Sequence, residues 1–178
     1  RQIQSLIRLI EDMLDVSRIR TGKLSIRPGQ FDLAQTVAQL LESFSAQISA
    51  AQSSVNFTAE QPVVGQWDEF RIEQVISNLL TNALRYGAKK PIDVSVYIES
   101  GQAVVDVRDQ GIGISEENQQ RVFQQFERVS SSHVIAGLGL GLFISEQIVA
   151  AHSGTISVQS ALGEGALFRV CLPLVQKT

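Results

Sequence analysis

The six residues Asp109-Gln110-Gly111-Ile112-Gly113-Ile114 set the terms for everything around them. They follow Ala103-Val104-Val105-Asp106-Val107, an alternating apolar run that predicts a strand. A carboxylate at a strand end can accept hydrogen bonds from an exocyclic amine. Two glycines at alternate positions let the backbone approach a flat ligand closely. Taken alone, Asp-x-Gly-x-Gly is also an ordinary loop with an Asx turn, so the neighbours must decide.

Upstream, Asp68 is placed to cap a helix over about 69–86. Asn78 and Asn82 lie four apart on it, on one face. Val75, Ile76, Leu79, Leu80, Ala83 and Leu84 around them are apolar. A buried amide without a partner costs roughly 1–3 kcal/mol. Two amide oxygens in line can ligate Mg²⁺, a hard cation that keeps waters and phosphate oxygens. The competing reading is one Asn as a local cap and the other facing solvent. Downstream, Gly137-Leu138-Gly139-Leu140-Gly141-Leu142 runs into a helix over 138–151, and glycines before a helix N-terminus expose amide donors to an anion. The competing reading is a tight helix crossing. The run is neither a Walker loop nor a dinucleotide-binding fingerprint.

The remaining elements follow from periodicity and turn chemistry. Residues 23–26 and 30–33 read as extended, and Asp32 is a natural N-cap for a helix over 33–51. Val55 to Thr58 alternates as a strand, and Pro62 to Gly65 turns the chain. Asp93 to Glu99 is a strand joined to 103–107 by the Ser100-Gly101 turn. Ser115-Glu116-Glu117 opens a short helix with acids in its first turn. Ser130 to Gly137 is a small, polar loop. Strands at 155–159 and 166–172 flank the Gly163-Glu164-Gly165 turn. The sum is α+β: a two-layer α/β sandwich of a mixed, mostly antiparallel sheet with three helices on one face, preceded by a long bundle-type helix.

That leading helix, about residues 2–21, carries two apolar stripes: Ile3, Ile7, Ile10, Leu14 and Leu6, Leu9, Met13, Val16. The face is wider than a two-stranded seam and needs neighbours on more than one side, as in a four-helix bundle. The expected partners are a preceding segment and a second copy of the chain. Gly22 and Pro28-Gly29 are expected to keep this helix apart from the domain behind it.

The 178 residues suffice for one full domain and a smaller appendage, and 44% hydrophobic content with 6% aromatics predicts an aliphatic core. A net charge of −3 gives no footprint for nucleic acid. The lone Cys171 reads as a core thiol in a reducing compartment. No apolar run reaches a membrane span, and no signal peptide opens the chain. The chain starts in helical pattern without Met, as expected of a piece of something longer.

In order stand Asn78-x-x-x-Asn82-Ala83-x-Arg85-Tyr86, Asp109-x-Gly111-x-Gly113-Ile114, Phe123-x-x-Phe126-x-Arg128, Gly137-x-Gly139-x-Gly141-Leu142 and Gly163-x-Gly165. This series closely resembles the catalytic ATP-binding domain of bacterial sensor histidine kinases, with its N, G1, F, G2 and G3 boxes. The likeness spans essentially the whole chain. Residues 6–23, including Met13-Leu14-Asp15-Val16-Ser17-Arg18, resemble the second helix of the family's dimerisation and phosphoacceptor hairpin. The resemblance implies residues 1–27 as that helix plus linker, and 28–178 as the catalytic domain.

It also implies roles, residue by residue. Asn82 binds Mg²⁺, with Asn78 supporting the metal or its waters. Arg85 meets phosphate oxygens, and Tyr86 lies against the adenine or ribose. Asp109 accepts the adenine amino group, Gly111 and Gly113 admit the base, and Ile114 lines its edge. Phe123 and Phe126 anchor the root of a lid, and Arg128 reaches the γ-phosphate, so catalytic roles fall to Asn78 and Arg128. Gly137, Leu138, Gly139, Leu140 and Gly141 border the phosphates, through backbone amides of the three glycines. Gly163 and Gly165 shape the last hairpin beneath the pocket. Two departures stand out. Leu138 replaces a frequent Thr or Ser, and 129–136 holds no Lys or Arg, so modest nucleotide affinity is expected. The family's phosphoacceptor His lies on a helix not present here. His133 falls in the lid, and His152 ends a helix, where an imidazolium would suit the dipole.

The leading expectation is therefore a protein-histidine kinase domain that binds ATP and Mg²⁺ and passes the γ-phosphoryl to a His outside this chain. Relay to a response regulator, a homodimeric parent and a cytoplasmic location follow from the resemblance. Anchoring of the parent in the inner membrane stays open. One alternative is an ATPase of the gyrase, mismatch-repair or chaperone type, which usually carries a Glu where Asn78 stands. Another is an interaction module with an inactive pocket.

Overall fold

The computed structural model describes residues 2–87, 89–125 and 139–175. The chain runs α1 (Gln2–Arg20), β1 (Gly29–Asp32), α2 (Leu33–Ser43), α3 (Ser45–Ala50), β2 (Val55–Thr58), β3 (Val64–Trp67), α4 (Glu69–Tyr86), β4 (Ile92–Glu99), β5 (Gln102–Arg108), α5 (Glu116–Gln119), α6 (Gly141–Ala151), β6 (Thr155–Ser160) and β7 (Ala166–Pro173). Five strands form one sheet in the order β2-β4-β5-β7-β6. β2 and β4 pair in parallel, and the other pairs are antiparallel. Helices α2, α4 and α6 cover one face, as the pattern predicts.

Alternation builds the core. Val94 and Val96 of β4, Ala103, Val105 and Val107 of β5, and Phe168, Val170 and Leu172 of β7 point to the helices. Against them lie Ile72, Val75, Ile76, Leu79 and Leu80 of α4, and Ile144, Ile148 and Val149 of α6. Both predicted N-caps are in place. Asp32 accepts from the Ala34 and Val63 N–H groups (3.0 and 2.9 Å), and Asp68 from Arg71 N–H (3.2 Å) and Arg27 N–H (2.7 Å). At the β4–β5 hairpin, Ser100 and Gly101 both have positive φ (51° and 76°), the backbone a two-residue turn with strand twist requires.

Several expectations need correction. Residues 62–65 are not simply a turn: Val64–Trp67 is a strand paired antiparallel with β1. The pattern hid it because Gly65 stands where a side chain would overlap the Trp67 indole. Trp67 is fully buried, donates from Nε1 to the Pro173 carbonyl (2.7 Å), and meets Phe31 edge-on at 5.5 Å. The helix expected over 33–51 breaks at Phe44, which closes α2 and turns its own ring into the core. Cys171 is not a core thiol. It shares the parity of Arg169 rather than of Val170, so it lies half-buried on the outer face of the sheet.

The leading helix is not kept apart from the domain. Its last turns dock on α4 and α6. Val16 is buried, and Asp15, 4% exposed, accepts at Oδ2 from Arg71 Nη1 and Gln74 Nε2, both at 2.8 Å. Arg20 donates to Gln125 Oε1 (3.0 Å). A 390 Å³ groove separates this end of α1 from the start of α6, lined by Met13, Val16, Ser17, Arg20, Thr21 and Leu140. Ile3, Leu6, Ile7, Ile10, Met13 and Leu14 stay at least half-exposed, so of the two apolar stripes only the Val16 end serves this contact.

His152 also differs from expectation. It is fully buried, its Nε2 accepts from the Asp68 N–H (3.0 Å), and its Nδ1 lies 2.8 Å from the Ile148 carbonyl. A carbonyl can only accept, so the proton sits on Nδ1 and the ring is neutral. Burial pushes its pKa below the ordinary value, against the raising influence of the Ile148 carbonyl and Asp68.

Candidate nucleotide site

The site is built around one face of α4. Asn78, Asn82 and Tyr86 recur every four residues, so they stack along that face about 6 Å apart. Asn78 points to α6, where its Nδ2 donates to the Gly141 carbonyl (3.1 Å) and to Ser145 Oγ (3.2 Å). Tyr86, two turns on, points its carbonyl to the loop after β5. Asn82 lies between, half-buried, and Arg85 is exposed in the last turn.

Three backbone segments close on one another at the Tyr86 end. A Cβ at Gly111 would overlap the Tyr86 carbonyl oxygen, and Ile112 N–H bonds that same oxygen (3.3 Å). Gly113, with φ of +70°, lies on the Ala161 carbonyl, and the Ile112 carbonyl accepts from Gly163 N–H (2.8 Å). Gly165 lies against the carbonyl of Asp109, whose N–H bonds Ala166 (2.9 Å). Glycine is thus required here for backbone to pack on backbone, a use the sequence reading did not assign to Gly111 and Gly113. Ser160 completes the junction by accepting from Ile114 N–H (2.8 Å) and donating to the Gly165 carbonyl. Gln119 donates to the Ser160 and Ile114 carbonyls (2.8 and 3.1 Å).

At this junction Asp109 is held 6% exposed, its Oδ1 accepting from Gly111 N–H at 2.8 Å. The Asx turn of the ordinary-loop reading is thus present, and it holds the carboxylate in place. Burial raises its carboxyl pKa, while the backbone N–H groups of Gly111 and Ala166 pull it down. A Cβ on Gly87 would stand 3.6 Å from that of Asp109, so the carboxylate lies beside the end of α4. A dry carboxylate next to a helix terminus is suited to accept from a neutral amine.

The structure therefore brings Asn78 together with Gly141, Tyr86 with Gly111, and Asp109 with Gly87 at the end of α4, while Gly113 packs on Ala161. Gly139 (φ +69°) and buried Leu140 precede α6, whose start has no side-chain cap. Half-buried Ile114 packs on the core, and Phe123 meets Phe168 edge-on at 6.4 Å. Phe126, Arg128, Gly137 and Leu138, with His133, lie outside the described residues. Ser145, Ser160 and Gln119 were missed. Only the position of Ser145, on the same helix face as Ile144, Ile148 and Val149, hinted at a partnered hydroxyl. Among the described residues no cluster of three His, Cys, Asp or Glu could hold a metal. The donors at hand are the neutral amides of Asn78 and Asn82, which suit Mg²⁺ sharing phosphate oxygens and waters.

Comparison with known proteins assigns the family. The profile of the histidine kinase-, DNA gyrase B- and HSP90-like ATPases matches residues 67–176. The chain belongs to this family. Among relatives of this ATPase domain, the circadian input-output histidine kinase CikA of Synechococcus elongatus is 32% identical over 176 residues, 96% of this chain but 23% of CikA. The sensor protein EvgS of Escherichia coli O157:H7 is 34% identical over 179 residues, covering 96% of this chain and 15% of EvgS. The chain thus spans a quarter or less of these two proteins. The histidine kinase AdeS of Acinetobacter baumannii superposes with a TM-score of 0.80 at 25% identity, over 97% of this chain and 80% of that one. Full-length ShkA, solved with AMPPNP, shares the fold at a TM-score of 0.84 and 24% identity, over 97% of this chain and 36% of that one. No helix among the described residues is long and apolar enough to cross a membrane.

Proposed function

We propose that this ATPase domain binds Mg-ATP between α4, the 109–114 loop and the start of α6, and acts as the catalytic part of a two-component sensor histidine kinase. The observation that carries the reading is the placement of Asp109: a dry carboxylate, fixed by Gly111 N–H, beside the helix that bears Asn82. Asp109 would accept the adenine amino group. Asn82, with Asn78 behind it, would hold Mg²⁺, which supplies charge neutralisation between phosphates. Arg85 and Arg128 would meet phosphate oxygens. Phosphoryl transfer needs mainly such positioning and charge compensation. A phosphoacceptor imidazole nitrogen, supplied by a helix outside this chain in cis or in trans, would form the P–N bond as the bond to ADP breaks.

A hydrolytic ATPase of the gyrase or chaperone type is less well supported. It would use a carboxylate base four residues before Asn82. Asn78 stands there instead, and its amide is engaged as a hydrogen-bond donor to α6.

Residues 1–27 we assign to the second helix of the dimerisation hairpin plus linker, and 28–178 to the catalytic domain. The exposed stripes of α1 would pack in the homodimeric parent, next to a docking surface for a response regulator receiver domain. The reading places this domain in the cytoplasm, where ATP is supplied.

Calorimetric titration with ADP, with and without Mg²⁺, tests the pocket. Binding heat in wild type, with affinity about ten- to a hundredfold weaker in Asp109→Ala, is the expected result, and no heat in wild type refutes the pocket. Labelling with ATP tests the reaction: no acid-labile phosphate on this chain alone, and phosphohistidine once a hairpin segment bearing the acceptor is added.

A further inference from the structure

The two amide bonds from Asn78 to α6 have a definite sense. The Gly141 carbonyl can only accept, so the edge of the Asn78 amide turned to it must be the NH₂ group. The second proton of that group goes to Ser145 Oγ, which is completely buried on the core-facing side of α6 with Ile144, Ile148 and Val149. The amide also lies flat on Gly141: a Cβ there would stand 3.4 Å from Asn78 Cγ. Flipping the amide would face two oxygens across this contact. Its plane and sense are therefore set by α6, and its oxygen lies on the edge remote from both acceptors.

From this we infer that Ser145 is a positioning residue for the metal end of the site. Acting through Asn78, it holds the amide oxygen in one orientation, one helical turn from Asn82. It also ties the helix bearing the metal-facing amides to the helix whose N-terminus faces the phosphates. Ser145 touches neither metal nor nucleotide. The inference rests on the Mg-nucleotide reading above. It predicts that loss of the hydroxyl acts on the metal-dependent part of binding rather than on binding of the base.

The test is calorimetry of ADP binding with and without Mg²⁺ for wild type, Ser145→Ala, Asn78→Ala and the double variant, with a melting curve for each. Ser145→Ala should weaken Mg-dependent binding by about three- to tenfold, the range for one lost hydrogen bond, and leave Mg-free binding within about twofold. In the Asn78→Ala background it should add nothing further, the non-additivity expected of two groups in one network. Ser145→Cys, close in size but a weak acceptor, should fall between and guards against a simple packing defect. A Ser145→Ala protein with a lowered melting point but an unchanged Mg²⁺ dependence would overturn the inference. So would a loss that persists undiminished in the Asn78→Ala background. Wild type that binds ADP with no Mg²⁺ enhancement would instead refute the metal site on which both proposals stand.

Discussion

The carbonyl oxygen of Tyr86 occupies the space where a side chain at position 111 would begin. That oxygen ends α4 and also accepts from Ile112 N–H. It cannot rotate away as a side-chain tip could. Gly111→Ala should therefore push the loop off the helix, costing about 1–3 kcal/mol as over-packing does, and abolish ADP binding with it. Gly29→Ala, with open space at its Cβ, should stay within about 0.5 kcal/mol of wild type. Urea titration of the three proteins measures the difference.

Asp109 trades stability for recognition. Its folded-state pKa is raised by burial above the unfolded 3.8. Any stability it lends is fully present below that value and is lost as pH rises through the folded pKa. Asp109→Asn, which removes the buried charge, should melt at or above wild type at pH 7, with the gap closing below about pH 4. ADP affinity of Asp109→Ala should fall about ten- to a hundredfold, the weight of a hydrogen bond to a charged group. A stability profile against pH, paired with calorimetry, reads both effects.

His152 has the opposite sign. Its folded pKa lies below the ordinary 6.5 because the ring is buried. The unfolded chain binds the proton more readily, so the contribution is complete above pH 6.5 and fades as pH falls toward the folded value. Protonation would place an N–H against the N–H of Asp68. The melting temperature of wild type should drop between pH 7 and 5 more steeply than that of His152→Gln.

Removing one partner of the Asp15–Arg71 pair should cost more than removing both. Arg71 is 8% exposed, and Asp15→Ala leaves its charge with the neutral Gln74 Oε1 at 2.8 Å and the Phe70 ring at 5.8 Å, but no carboxylate within reach among the described residues. A buried pair broken in this way typically loses about 3–5 kcal/mol, whereas an apolar replacement of both ends is often near neutral. Hydrogen exchange in the last turns of α1 should speed up in Asp15→Ala and recover in Asp15→Ala/Arg71→Met.

Much of this architecture was readable in the chain. Asp32 and Asp68 mark helix starts because a short acceptor before an apolar run has one favourable use there. Ser100-Gly101 marks a hairpin through its positive-φ demand. What escaped depends on contacts distant in sequence. β3 is a strand because Trp67 reaches Pro173 and β1 lies beside it, and nothing within residues 62–67 announces either. The neutrality of His152 follows from Asp68 and full burial, not from its place at a helix end. In the site, the glycines were recognised, but their task was not. Gly111, Gly113 and Gly165 each accommodate a carbonyl from a segment far along the chain, a relation that no local pattern encodes.

β7 comes last among the described elements, yet it lies inside the sheet, between β5 and β6. Pro173 and Leu174 also receive the bonds from Trp67 and Gln66. During synthesis, more than 160 residues must therefore leave the ribosome before the central seam can zip. Until then β5 presents an unpaired inner edge, open to a neighbouring nascent chain. The domain therefore closes late and all at once, and a break anywhere within β7 would leave no partly active product.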